Sequence, residues 1–176
     1  MRHRKQSVRV PAHVRKLIQS KDIAILDLGG AQHPTEGAIV MDVRKNDNVH
    51  VVHDWDEYPW PFPDRSMTAI IASHVVEHVN PLKFGFIKWM DECWRIMKTG
   101  GQLAIVAPYA GSPGYWADPT HVNPCTEHTW RYFDPSLSVH GDLYHLYRPK
   151  PWKIQHCSYQ INGNMDVVLV KIEEAQ

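Results

Sequence analysis

Four stretches decide the fold: IAILDLGG (23–30), AIVMDVR (38–44), VHVVHDWD (49–56) and TAIIASHVVEH (68–78). Each is a short apolar run that finishes on a polar or turn residue. Continuous β-favourable runs of this length, bounded by Gly29-Gly30 or by Asp, Ser and His, read as buried strands of a parallel α/β sheet. A polar group at each strand end lines the carboxyl edge, where open α/β sheets bind their ligands. The pattern predicts a crevice for a nucleoside-like molecule and makes an enzyme the leading class.

The flanks fit that sheet. Residues 12–20 predict a short helix leading into the first strand. EYPWPFPDRS (57–66) holds three prolines and must be a loop. From Pro81 to Met97, Leu82, Phe86, Met90, Trp94 and Met97 fall on one helical stripe, joined by Ile87 and Cys93, and predict an amphipathic helix. Gly100-Gly101 stops it and opens the strand QLAIVAP (102–108). Residues 109–152 are rich in Gly, Pro, His, Tyr and Trp and predict a functional lid, with one short helix near 126–133. Residues 153–161 and 165–172, separated by NGN, predict an antiparallel hairpin. The sum is a single α/β domain over 1–176. It has a Rossmann-like, doubly wound, mostly parallel sheet, a C-terminal antiparallel hairpin, a basic N-terminal segment (1–21) and a loop-rich substrate-side insertion (109–152).

Lys plus Arg and Asp plus Glu balance at 19 each, so no overall field calls for nucleic acid. The basic residues Arg2, Arg4, Lys5, Arg9, Arg15, Lys16 and Lys21 precede the first acid, Asp22. They read first as a solvated terminus and second as an arm for a polyanion. No apolar run is long enough for a membrane span or a secretory h-region. Cys93, Cys125 and Cys157 form no C-x-x-C pair and read as reduced, mostly buried thiols of a cytoplasmic protein. Trp60, Trp94 and Trp130 read as core residues rather than base-stacking platforms.

The chemistry narrows from there. Only eight residues (30–37), Pro34 among them, separate the first strand from the next apolar run, so no helix fits after the glycines. A diphosphate cofactor would lose its anion site at a helix N-terminus, whereas a ribose-bearing ligand without phosphate is served. Asp42 ends the second strand and can accept both ribose hydroxyls. Asp54 follows the third, where it can meet an adenine amino group, and Trp55 offers a flat apolar wall. His74-x-x-Glu77-His78 matches a zinc peptidase pattern that must lie within a helix. Here it follows a strand directly, so the expectation is no metal, with zinc hydrolysis a distant third reading. Asp118 and His121 can orient or deprotonate an acceptor, since His is the commonest general base. Equally, Asp118 can cap the turn before Pro119 and His121 can make a structural hydrogen bond.

Taken together, ILDLGG, MDV, VVHDW, WPFPDRSMTAIIASHVVEHV (60–79) and WRIMKTGGQLAIVAP (94–108) resemble class I S-adenosylmethionine-dependent methyltransferases, over roughly residues 23–108. The resemblance implies S-adenosylmethionine as cofactor, with Asp27, Gly29 and Gly30 at its methionine end, Asp42 and Val43 at the ribose and Asp54 and Trp55 at adenine. Ser73 and His74 would line the cleft, and Glu77 and His78 would begin the linking segment. It also implies that Tyr109 lies beside the methyl group and that DPTHVNP (118–124) supplies Asp118 and His121 as catalytic residues. The chain departs from the family's G-x-G-x-G loop at Ala31 and His33, and Thr99 replaces proline in the K-P-G-G turn. The implied activity is methyl transfer to an oxygen or nitrogen nucleophile. A small molecule is the favoured acceptor, and nucleic acid is the alternative that the basic N-terminus would serve. A non-catalytic cofactor-binding or scaffold relative is the rival class. Oligomeric state is left open.

Overall fold

Leu28, Asp42 and Ser73 end three neighbouring parallel strands, with Asp27 one residue before the first of these ends, in the computed structural model of the chain, which describes residues 10–21, 23–137 and 146–174. The strands are β1 (Ile25–Leu28), β2 (Ile39–Asp42), β3 (Val51–Val52), β4 (Met67–Ser73), β5 (Met97–Pro108), β6 (Trp152–Tyr159) and β7 (Asn164–Lys171). They form one seven-stranded sheet in the order β3-β2-β1-β4-β5-β7-β6. β7 runs antiparallel between β5 and β6, and every other pairing is parallel. Strand order reverses between β1 and β4, the switch point at which open α/β sheets form their crevice.

Strand register explains the core. Leu26, Leu28, Ile39, Met41, Ile70, Ala72, Leu103, Ile105, Val167 and Leu169 stand on one face, and all are buried. Helix α2 (Gly85–Ile96) adds Trp89, Met90, Cys93 and Ile96 to the same core, and the loop 57–66 adds Trp60 and Phe62. That proline-rich loop has few backbone donors of its own and is stapled to α2 instead. Glu92 accepts the Trp60 N–H at 2.6 Å, and Arg95 donates to the carbonyls of Trp60 (3.1 Å) and Phe62 (3.0 Å). Ile25, Ala69, Ile71, Ala104, Val106, Val168 and Val170, on the other face, are only half-buried. The sheet is heavily packed on one side alone.

Three expectations change. The helix begins at Gly85, not Pro81: Lys83 and Phe84 are left-handed, and Leu82 is exposed. The chain turns there because Gly85 passes the Asn80 carbonyl so closely that a Cβ would stand 1.7 Å from its oxygen. The helix ends at Ile96, ahead of the glycine pair, because Met97 already pairs with Met67 and starts β5. The third strand shrinks to Val51–Val52 at the sheet edge. The early helix is α1 (Ala12–Gln19). The segment 109–152 contains α3 (Pro113–Trp116) and α4 (Glu127–Arg131), the latter closed by a Thr126–Thr129 capping box. The hairpin turns through Asn162-Gly163, with Gly163 at φ +90°. Arg2, Arg4, Lys5, Arg9 and Asp22, and residues 138–145 of the insertion, lie outside the described residues. Cys93 and Cys125 are buried, Cys157 is half-buried, and all three are free thiols. No described helix is long and apolar enough to cross a membrane.

Candidate active site

The turn after β1 decides what fits above the sheet. Gly29 has φ +73°, and a Cβ there would stand 2.9 Å from Val75 Cγ2 and 3.9 Å from the Trp55 ring. A Cβ on Gly30 would fall 2.4 Å from Asp27 Oδ2. Two missing side chains thus keep a cradle open between the end of β1, Val75 and the Trp55 ring. Asp27 is buried and accepts the Thr35 N–H at 2.7 Å, while the Gly29 N–H donates to Met41 O at 2.9 Å. These bonds hold the loop 29–38 in shape without a helix.

Asp42, at the end of β2, is 1% exposed yet lies under a removable cover. Its Oδ1 accepts the Arg44 N–H at 2.8 Å and Arg44 Nε at 3.3 Å, and the Arg44 side chain is itself 60% exposed. Val43 beside it is exposed. Asp54 is exposed and accepts the Asp56 N–H at 2.9 Å. Trp55 is half-buried and lends its carbonyl to the Trp60 indole at 3.0 Å. Asp56 in turn accepts the Asn80 N–H, tying this loop to the chain beyond β4. Asp27 and Asp42 lie at the carboxyl ends of β1 and β2, and Gly29, Gly30, Val43, Asp54 and Trp55 lie on the loops leaving β1, β2 and β3.

Across the switch point, Ser73 closes β4 and His74 follows with φ +54°. His74 Nδ1–H donates to Glu77 Oε1 at 3.2 Å, and this hydrogen bond raises the imidazole pKa above its ordinary value. Glu77 is fully buried, and its Oε2 has no hydrogen-bond partner among the described residues. The H-x-x-E-H pattern is not helical. Only Val76–His78 forms a 3-10 turn, and His74 lies outside it, so no helix face presents His74 and His78 together. The helical zinc-peptidase arrangement is overturned.

The loop after β5 folds back onto that turn. Val122 and Asn123 donate their N–H groups to Glu77 O, and Asn123 Nδ2 donates to Val76 O and Val79 O. His121 Nδ1–H donates to Tyr115 O at 2.8 Å, while His121 Nε2 lies 3.8 Å from Asp118 Oδ2. Asp118 also caps its turn. Its Oδ1 accepts the Thr120 hydroxyl at 2.6 Å and N–H at 2.8 Å, which holds its carboxyl below the usual range. The His78 and His121 rings stand 4.8 Å apart. Asp118 and His121 therefore meet each other, and His121 also meets His78 and Glu77. Tyr109 belongs to another group. Its ring stands 5.1 Å from Tyr159, and both line a cavity of about 350 Å³ with Glu127, Cys157, Ser158 and Met165. A second cavity of about 480 Å³ lies between α4 and β6, away from the switch point.

Four contributors were not singled out for these roles in the sequence: the Arg44 cover, buried Glu77, His78 and the Asn123 clamp. An acid inside the apolar run VVEHV was the one signal that could have marked Glu77, because an unpaired carboxylate is seldom placed there.

Residues 34–105 match the methyltransferase domain family. Solved structures share the architecture. A S-adenosylmethionine-dependent methyltransferase from Archaeoglobus fulgidus is 18% identical with TM-score 0.59, over 91% of this chain and 92% of that one. The 16S rRNA (adenine(1408)-N(1))-methyltransferase of Catenulisporales acidiphilia, a W203A variant with its cosubstrate, is 12% identical with TM-score 0.58, over 92% and 91%. A methyltransferase of Haloferax volcanii, described as putative and solved with the Trm112 activator, is 10% identical with TM-score 0.54, over 90% and 88%. At these identities the likeness is one of fold. No curated protein sequence matches the chain. The domain match over residues 34–105 and the shared strand order make the chain similar to the S-adenosylmethionine-dependent methyltransferases, whose cofactor is S-adenosylmethionine. The residues present fit that cofactor: a glycine cradle without a diphosphate helix, and a buried carboxylate that offers acceptors to a pair of hydroxyls.

Proposed function

We propose that this chain works as one domain that transfers a methyl group from S-adenosylmethionine to an oxygen or nitrogen of a small-molecule acceptor. The observation that carries the reading is Asp42. It is a carboxylate kept buried at the end of β2, whose one side-chain ion-pair partner among the described residues, Arg44, is itself 60% exposed. Asp42 and Val43 would hold the ribose, Asp54 and Trp55 the adenine, and Asp27 would shape the glycine loop at the methionine end. Ser73 and His74 border the cleft from β4.

When bound, S-adenosylmethionine supplies an electrophilic methyl on a sulfonium. The chain's own task is then placement, because alignment of the nucleophile with the bond that breaks supplies most of the rate. Tyr109, at the end of β5, borders a cavity of about 350 Å³, within the range of small-molecule pockets. His121 keeps its Nδ1 proton on Tyr115 O, which leaves the Nε2 lone pair to take a proton from the acceptor. Asp118, on the same ring's far side, would steady the imidazolium. Three free thiols suit a reducing compartment, and we place the protein in the cytoplasm.

Calorimetry with S-adenosylhomocysteine, followed by acceptor pools of hydroxyl and amine compounds, tests this. The expected outcome is saturable binding that Asp42→Ala weakens by about 30-fold, the loss of a charge-assisted hydrogen-bonded pair. Turnover should release S-adenosylhomocysteine, with the methyl found on an oxygen or nitrogen of the acceptor by mass spectrometry. Binding unaffected by Asp42→Ala sinks the cofactor site. Binding without turnover in any pool favours the scaffold relative.

A further inference from the structure

We propose that Glu77, His78 and His121 form a site for a divalent metal ion of the zinc type. Each can offer one ligating atom, and these atoms all lie within 4.8 Å of one another. A modest closure brings them to the spacing of ligands around one such ion, whose bonds to nitrogen and oxygen are about 2.0–2.2 Å.

Two independent features support a ligand here. The first is the state of the histidines. A backbone carbonyl can only accept, so the bonds to Tyr115 O and Thr120 O (3.3 Å) put the proton of both His121 and His78 on Nδ1. Thr120 also spends its own hydroxyl proton on Asp118. Nε2 of each ring keeps a lone pair, and a metal-binding imidazole commonly has its other nitrogen tied down in this way. The second feature is Glu77. Its carboxylate is fully buried, has His74 on Oε1, and leaves Oε2 without a hydrogen-bond partner among the described residues. Burial of a bare carboxylate oxygen is costly, and a cation beside it removes that cost.

The set is His, His and Glu, three protein ligands, the count that leaves a coordination position open in catalytic zinc sites. It differs from the H-x-x-E-H reading. His74 is withdrawn as a ligand and serves as a partner of Glu77, and His121 arrives from the loop after β5. The expectation of no metal is thereby revised. If the methyl-transfer reading also holds, the open position would suit an acceptor hydroxyl, which loses its proton more readily on a metal. His121 would then act as ligand in the loaded protein and as base only in its absence.

The test uses the whole chain, stripped with a chelator and titrated with zinc and, separately, cobalt. We expect one equivalent bound and visible cobalt bands of four-coordinate intensity. His121→Ala and His78→Ala should each weaken binding by about 100-fold, while His74→Ala keeps one equivalent. Circular dichroism on the same samples shows whether each variant is folded, and S-adenosylhomocysteine titration of the unmutated chain reports on the cofactor site. Folded protein that takes up no zinc at high-micromolar concentration overturns the site. Uptake that survives His121→Ala, or that is lost on His74→Ala alone, overturns the ligand set. Failure to bind the nucleoside, with zinc uptake intact, would count against the methyl-transfer reading and leave the metal site standing.

Discussion

On the proposed cofactor side of the crevice, Asp27 and Asp42 ride on strands whose neighbours are set by the parallel ladder. On the proposed acceptor side, Glu77, His78, Asp118 and His121 come from a single 3-10 turn and an irregular loop. Strand-borne groups are positioned by the sheet itself. Loop-borne groups are held by separate stitches, long-range from Asn123 to Val76 and Val79 and from Val122 to Glu77, and local from His121 to Tyr115. Changes on the first side should remove binding chemistry, and changes on the second should loosen geometry.

Gly30→Ala should break the comparison most severely, because it strikes the point where the loop leaves the sheet. A Cβ 2.4 Å from Asp27 Oδ2 must push the carboxylate off Thr35. The expected cost is about 2 kcal/mol, roughly 4–8 °C in Tm, with nucleoside binding abolished. Scanning calorimetry and titration check both, and an unchanged Tm with normal affinity would mean the loop repacks freely.

Asn123→Ala should separate the two sides. Two donated hydrogen bonds vanish and two carbonyls lose a partner, a loss of about 2 kcal/mol. Turnover should fall by about tenfold, since a displaced reacting group costs rate. S-adenosylhomocysteine affinity should stay within about twofold, because the cofactor side does not depend on this clamp. An equal loss of affinity would show that the sides are one unit.

The pH response of the core has to be subtracted before any acceptor-side titration is interpreted, and Asp91 on α2 is one source of it. Burial raises this carboxyl from 3.8 to about 6 despite the Lys150 N–H it accepts at 2.8 Å. The folded chain therefore favours the protonated form. Its contribution to stability is complete below pH 3.8 and is lost as pH rises through about 6. Asp91→Asn keeps an acceptor for Lys150 and removes the titration. Its Tm relative to wild type should climb by a few degrees between pH 4 and pH 7, measured by parallel melts. A flat difference would locate the pH response elsewhere.

The smallest effect is expected at Arg44. The exposed guanidinium over Asp42 contributes little to stability, so Arg44→Ala should leave Tm almost unchanged. It should tighten nucleoside binding by about threefold at low salt, a gain that shrinks as salt screens the pair. Weaker binding would mean that Arg44 helps hold the ligand instead of covering its site.

Much of the cofactor side could be read from the chain alone. Asp42 at a strand end, Gly29-Gly30 after the first strand and a loop too short for a phosphate-binding helix are features of adjacent residues. The sheet carries them to their places without further help. Element edges were less legible. Nothing in KFG announces that Lys83 and Phe84 turn left-handed, because the reason is the Asn80 carbonyl against Gly85. Nor does a helical stripe show that Met97 is claimed by strand pairing with Met67 before the glycines arrive.

The acceptor side marks the boundary between the two kinds of information. Hydrophobic periodicity and strand-end polarity are short-range signals, so the sequence by itself determined the sheet, its carboxyl edge and the carboxylates that stand along that edge. Which histidines stand together was decided by tertiary structure. His78 and His121 meet because backbone amides of one loop find the carbonyls of a distant turn, and backbone groups are the same in every residue. The same folding buries Glu77 and leaves one of its oxygens without a hydrogen bond, a condition that exists only once the chain has closed around it.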